Sequence, residues 1–520
     1  MNSINTNGWD TIYAVPFSML NEVIIKGKLS PASFSVIGEN DDGAYDFGGD
    51  FGAWELAPGG DGQQLMMKLP ILTAHLKLGG STAEFPFTNI SANILLNLKW
   101  VDDPADPNYQ NLKLNNDQNT VFVSSINYGG TVPVTDGVIK QFLHKWLVDN
   151  VANFNFVFAK VNINYVAAQE SFAWMAPTHK AYAVKDATPP DATTSLFGIL
   201  CMTGDRPAPG NAQVPAEAIP AGANSSFLIA PERLIEHVFF PRVQDNFKNA
   251  ANDNFRINSN YLSITNIVKV QLPDQQLEDG SVKEVFLEPG NFTLSLQADK
   301  VLLDMTDLYF KYNDNFTVHF NHNSPATLTF PKGVFNLAVT GSNTNTTVEA
   351  SSGYFSAEIA ASIAGIIVTS VIGGFVGGII DGALGARAAA AAGIANNGAA
   401  NVAMNVIAPA AGAAAAGVNV AGPVVANAAA AVAPIQNIFA AAWGRAAGNI
   451  IGGIVGAVVG GSIPLTMELL KNLADDEIPT LADFGKSMLA PVMWPTAAGA
   501  TFEVVDGKLD GALQVGINLK

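Results

Sequence analysis

Apolar and polar positions alternate most clearly from Asn89 to Trp100. Ile90, Ala92, Ile94, Leu96, Leu98 and Trp100 share one parity, and Asn89, Ser91, Asn93, Asn97 and Lys99 share the other. Leu95 breaks the pattern. A strand of this length, roughly 40 Å at the usual rise, is longer than a compact sandwich needs and predicts an extended, curved sheet. Phe154, Phe156 and Phe158 put three rings on one strand face, with Asn153 and Asn155 opposite. The two-residue period returns at Phe316, Val318 and Phe320. The chain closes with Leu509, Leu513, Val515, Ile517 and Leu519 on one parity.

Three stretches carry the helical period instead. Pro16 precedes Phe17, Leu20, Val23 and Ile24, with Gly27 as the stop. Val138, Ile139, Phe142, Leu143, Trp146 and Leu147 follow Thr135 and Asp136, a pair able to cap a helix start. Pro231 opens the third, in which Leu234, Ile235, Val238 and Phe239 lie on one side of Glu232, Arg233, Glu236 and His237; Pro241 is expected to kink or end it. Residues 206–226, RPAPGNAQVPAEAIPAGANSS, are rich in proline, glycine and alanine and predict a linker between domains 1–205 and 227–520.

Within the second domain, the Ala/Gly-rich region 357–470 has a texture of its own. From Ile359 to Met467 its only charged side chains are Asp381, Arg387 and Arg445. Ala361, Gly365, Thr369, Gly373 and Gly377 fall every four residues, as do Gly444, Gly448, Gly452, Gly456 and Gly460. Such smooth helix faces let a partner helix approach closely. Ile359–Ile380 and Ala446–Met467 are each 22 uncharged residues, enough to cross a bilayer core of ~30 Å. Gly373, Gly377, Gly448, Gly452, Gly456 and Gly460 are therefore candidates for helix packing or membrane contact. High glycine content and sparse basic flanks favour a buried helix pair over a membrane hairpin.

Charge and motifs narrow the chemistry. With 45 acidic and 27 basic side chains the net charge is -18, which repels phosphate backbones and excludes nucleic acid as a partner. Cys201 is the single cysteine, so no intramolecular disulfide forms, and a buried, inert thiol is expected. Met1 to Trp9 has neither a basic nor an apolar signal region, which predicts a cytoplasmic protein or release without a classical signal peptide. No nucleophile elbow, phosphate loop, zinc-protease helix or CxxC pair is present, so the chain reads as non-enzymatic, without a cofactor. His319 and His322 point to opposite faces of a strand and do not make a metal site. Glu39, Asp41, Asp42, Asp46 and Asp50, and likewise Asp102, Asp103 and Asp106, lack EF-hand spacing and read as solvated turns. No residue is assigned to metal.

Several motifs carry a family resemblance: Asn7-Gly8-Trp9-Asp10-Thr11-Ile12-Tyr13, Asn153 to Ala159 behind the Trp146 helix, Phe172 to Thr178, Phe197 to Thr203 and Gly507 to Gln514. Spread over the whole chain, they resemble the P-47/OrfX-type accessory proteins encoded beside clostridial neurotoxins, members of the tubular lipid-binding (TULIP) superfamily. The resemblance implies an α+β fold of two TULIP-like modules, each a long helix wrapped by a highly curved antiparallel sheet. The Ala/Gly-rich helical insertion then sits in the second module, where family analogy assigns it no role. An apolar groove between helix and sheet is implied, with Phe17, Leu20, Ile24, Leu234, Val238 and Phe239 as lipid-contact candidates.

The expected function is binding of lipid or another elongated apolar ligand. One competing class is an assembly component that binds a co-encoded toxin or accessory protein, with lipid incidental. The other is a membrane-inserting protein acting through a 359–467 hairpin.

Overall fold

A computed structural model describes residues 3–350 apart from short breaks, and 401–407, 491–495 and 502–519. The described chain is mostly sheet with few helices, in two units. The first comprises Ile4–Ala230, Gly485–Val505 and Gln514–Lys520; the second comprises Met1–Ser3, Pro231–Phe484 and Asp506–Leu513.

In the first unit β1 (Thr11–Pro16) leads directly into α1 (Phe17–Gly27). The helix stops as expected, although Lys28, at φ 50°, takes the left-handed position rather than Gly27. A hairpin of β2 (Ser33–Asn40) and β3 (Gly43–Phe51) follows, then β4 (Glu55–Leu56), β5 (Leu65–Leu78) and β6 (Phe85–Leu96). The alternating run from Asn89 is thus real, but it splits at Asn97. β7 (Leu98–Asp102) leaves for a second sheet with β8 (Tyr109–Leu114), while β9 (Val121–Asn127) returns to β6. Leu95 faces outward in register with Met66 and Phe122, the latter 63% exposed, so the break in alternation marks an apolar row on the outer face.

The sheet β2-β3-β5-β6-β9 curls around α2 (Asp136–Asn150). That helix packs against both outer strands, β2 and β9. Laid flat, five strands would hold β2 and β9 ~19 Å apart, well beyond the ~10 Å width of a helix, so contact with both requires curvature. Thr135 makes no side-chain cap to α2. Asp136 instead pairs with Lys140 at 2.9 Å and accepts from the Tyr128 hydroxyl at 2.9 Å.

Phe154 to Phe158 are not strand; β10 (Ala159–Asn162) begins after them. Their burial still alternates, because ring packing rather than a ladder sets their direction. β10 joins β8 on one side and β26 (Val492–Met493) on the other. β11 (Pro177–Lys185), β12 (Leu196–Thr203), β1 and β13 (Ser225–Ile229) form a third sheet, which β28 (Ala512–Leu519) extends beside β13. Asn224 and Leu519 exchange hydrogen bonds of 2.8 and 2.9 Å, tying the end of the chain to this unit.

Residues 206–226 are part of this unit rather than a free linker, and the division falls after Ala230. Val214 and Ala218 are buried. A Cβ on Gly198 would lie 2.4 Å from Val214 Cγ2, so only glycine lets the segment lie on β12. Gln514 Nε2 donates to the carbonyls of Glu217 and Ala218 at 2.7 and 2.9 Å, and Trp9 Nε1 donates to the Asn211 carbonyl at 3.0 Å. Proline and glycine deny this stretch regular structure without denying it burial.

The acidic runs are also more structured than their composition suggests. Glu39 lies on β2, while Asp46 and Asp50 lie on β3, bonded to His75 Nε2 at 3.2 Å and Thr73 Oγ1 at 2.8 Å. Asp103 is buried and accepts from Lys160 Nζ at 2.6 Å. The lysine hydrogen bond holds its carboxyl below the usual range.

The second unit opens with a helical stretch in three parts: an α turn Pro231–Leu234, a π turn Ile235–Phe239 and an α end Phe240–Val243. Pro241 does not end it. The Phe240 N–H reaches Ile235 O, one residue further than in an α-helix, and this widening passes the chain through the proline. Short strands follow: β14 (Phe255–Ile257), β15 (Ser263–Asn266), β16 (Val270–Gln271), β17 (Gln275–Gln276), β18 (Val282–Lys283), β19 (Phe286–Leu287) and β20 (Phe292–Gln297). Two 14-residue strands, β21 (Lys300–Asn313) and β22 (Phe316–Thr329), pair along their length. β22 also pairs with β23 (Asn336–Val339) and β24 (Asn343–Ala350), and β24 runs parallel to β25 (Asn401–Ile407). β27 (Phe502–Asp510) precedes β28, with Gly511 between them at φ 83°. Gly373, Gly377, Gly448, Gly452, Gly456 and Gly460, and both 22-residue segments, lie outside the described residues. Among the described residues no helix is long and apolar enough to cross a membrane.

The Asn7–Tyr13 motif is an anchor. Asp10, 1% exposed, accepts from Thr203 N at 2.8 Å, Thr203 Oγ1 at 3.1 Å and Arg206 at 2.6 Å. Asp10→Ala removes all three and is expected to destabilise the chain by about 2–3 kcal/mol, discounted because Arg206 is partly solvated. Asp10→Asn, which keeps an acceptor for Thr203, should cost less when both variants are unfolded by urea titration.

Candidate ligand-binding interior

Inside the curled sheet the side chains are aromatic. Inward positions of β2 and β3 supply Phe34, Tyr45, Phe47 and Phe51; the loop before β4 supplies Trp54; α2 supplies Phe142 and Trp146, four residues apart on one face. Tyr45 stacks on Phe142 with centroids 4.4 Å apart, and Phe34 lies 5.0 Å from Phe47 and 4.7 Å from Phe51. Phe51 and Trp54 meet Trp146 at 5.2 and 6.4 Å. Trp54 then stacks on Phe154 at 5.1 Å.

From Phe154 the rings continue through Phe158 at 6.4 Å to Phe197 at 5.8 Å, and Phe197 contacts Tyr182 at 6.1 Å. One train of rings therefore runs from the α2 end of the curled sheet to β11 and β12. These separations fall within the range of favourable ring pairs.

Polar groups along the train are few. The Tyr182 hydroxyl donates to Gln63 O at 2.5 Å and accepts from Leu98 N at 2.7 Å, so the hydroxyl end of the ring is pinned. Cys201 shares a sheet face with Phe197 and Thr11, and burial pushes its thiol up to about 12. No thiolate chemistry is available from it near neutral pH. Burial also lowers the Lys180 ammonium beside it.

Of the six expected groove residues, three fall in the first unit and three in the second. Phe17, Leu20 and Ile24 are fully buried on one face of α1, which packs on β1 and β4 rather than against the rings of α2. Asn21, on the same helix, exchanges hydrogen bonds of 2.7 and 3.0 Å with Leu56. Leu234 and Phe239 are buried in the second unit, and the side chain of Val238 lies outside the described ones. The interior residues missed were Phe34, Tyr45, Phe47, Phe51 and Trp54. Their signal was present as Tyr45 and Phe47 alternating with Asp46, hidden by reading the acidic residues as a loop.

The OrfX-like family, described as Protein OrfX2/OrfX3/P47, matches residues 6–306. The chain belongs to this family. It is 30% identical over 283 residues to Protein OrfX3 of Paraclostridium bifermentans, covering 49% of this chain and 57% of that one. Against Protein OrfX3 of Clostridium botulinum (strain Kyoto / Type A2) it is 29% identical over 284 residues, 48% and 57% of the two chains. These matches thus span little more than half the length of the curated relatives. Among solved structures it resembles P47 of Clostridium botulinum A2, with TM-score 0.56 at 16% identity over 73% of this chain and 88% of that one. For P47 of Clostridium botulinum E1 the TM-score is 0.58 at 13% identity, with both chains fully covered. At such identity the likeness concerns the fold, and it fits a TULIP-like one.

Three outcomes follow from this OrfX-like interior. Trp146→Ala should cost about 3–5 kcal/mol in equilibrium unfolding, since it removes the ring on which Phe34, Phe51 and Trp54 converge. Cys201 should resist iodoacetamide at pH 8 in the native chain and react once urea unfolds it. Burial pulls the Asp136 carboxyl up, but hydrogen bonds from Lys140 and Tyr128 outweigh it and leave its pKa lowered; Asp103 is lowered through Lys160. A lowered folded pKa contributes stability that is complete above the ordinary carboxyl range and lost as pH falls through the lowered value. The melting temperature should therefore drop on acidification below about pH 4, and less steeply in Asp103→Asn.

Proposed function

We propose that this chain is a non-catalytic binding protein for lipid or another elongated apolar ligand, accessory to a toxin gene cluster. The observation carrying this reading is the train of rings that starts between α2 and the curled sheet of the first unit and runs through Phe154 and Phe158 to Phe197 on β12. An acyl chain that parts these rings exchanges ring–ring for ring–methylene contact and leaves water, a gain of ~25 cal/mol per Å² of apolar surface buried. The second unit is read as another TULIP-like module, with 357–470 as its Ala/Gly-rich insertion. Family membership supports the accessory role, and the charge of -18 favours neutral or zwitterionic lipids over anionic ones.

A second reading is a partner-binding component of a toxin complex. The outward row Met66, Leu95 and Phe122, ending on edge strand β9, favours it. Membrane insertion through 359–467 rests on residues outside those described.

Organic extraction of the natively purified chain, followed by mass spectrometry, should return acyl lipid in near-stoichiometric amount. A lipid-free chain that also fails to take up diphenylhexatriene would sink the lipid reading. Phe122→Asp should leave lipid content unchanged while abolishing co-purification with a co-encoded protein, if the second reading holds.

A further inference from the structure

We propose that Trp54 Nε1 is the polar contact of the ligand interior and selects a neutral acyl carbonyl, as in a glycerol ester. The inference rests on the lipid reading above. Trp54 has no exposed surface, and its indole N–H has no hydrogen-bond partner. Buried polar groups are almost always paired, and an orphaned donor costs ~1–3 kcal/mol.

The orientation of this ring is well determined. Its backbone N–H donates to Ser30 Oγ at 2.8 Å. Its indole stacks on Phe154 at 18° and meets Phe51 and Trp146 edge-on at 86° and 72°. Ring faces are weak acceptors. Tyr182, further along the same train, has both a donor and an acceptor for its hydroxyl.

What completes Trp54 is an acceptor delivered along the ring axis. A carboxylate is a poor fit, because the indole is held by three rings and an isolated charge among them would be desolvated without a counter-ion. An ester or amide carbonyl carries no charge, accepts one N–H and continues into an acyl chain that the rings accommodate.

The test uses the full chain and two probes with the same chain and headgroup: glycerol monooleate, which has the carbonyl, and glycerol monooleyl ether, which lacks it. Each is titrated by displacement of diphenylhexatriene. The wild type should prefer the ester at least tenfold, about 1.4 kcal/mol. Trp54→Phe should still bind both and bring them within about twofold. Equal binding of the two probes by the wild type overturns the inference without any variant having to fold, and so does a preference that survives in Trp54→Phe. Failure of the wild type to bind either probe overturns the lipid reading itself, an outcome distinct from equal binding.

Discussion

The first unit depends on one constraint: the rings on one face of α2 must be covered from both sides by a single five-stranded sheet. Phe142 and Trp146 project from the helix toward Tyr45, Phe34 and Phe51 on the strands, and both outer strands touch the helix. A flat sheet satisfies one contact or the other. Curvature satisfies both and produces an enclosed axis lined by aromatic side chains. Long strands make this feasible, because the right-handed twist accumulates along 12 to 14 residues into a curl.

Buried and half-buried polar residues of this unit hold its ends and connections. Asp10 gathers Thr203 and Arg206; Asp103 takes Lys160; Asn224 takes Leu519. Two of the motifs behind the family resemblance, Asn7 to Tyr13 and Phe197 to Thr203, meet at the Asp10 anchor. Asn7 to Tyr13 and Phe197 to Thr203 pair as β1 and β12 in the middle of a sheet buried on both faces. Gly198 within that motif admits Val214, so the proline-rich segment packs where a longer side chain would block it.

The helix starts, the long strands and the buried Cys201 were legible in sequence, because each follows from a short-range period or from the apolarity of its neighbours. The wrong inferences share a cause. Residues 206–226 look like a linker and Asp46 and Asp50 like a loop when judged by composition, yet the first segment packs on β12 and the two aspartates lie on strand β3. Composition reports propensity for regular structure, whereas burial depends on what lies across the sheet. Pro241 is similar: the penalty it imposes is local, and a single π turn meets it.

By itself the sequence determined where the helices begin, which faces are apolar, and to which family the chain belongs. These depend on spacing within about a dozen residues. The tertiary structure decided that the strand from Phe85 to Asp102 divides between two sheets, that α1 packs on β4 while α2 takes the enclosed position, and that Trp54 joins rings contributed by residues 34 to 154. Periodicity shows that a face is apolar but carries no information about which other apolar face will cover it. That choice is made by the global packing of long-range partners.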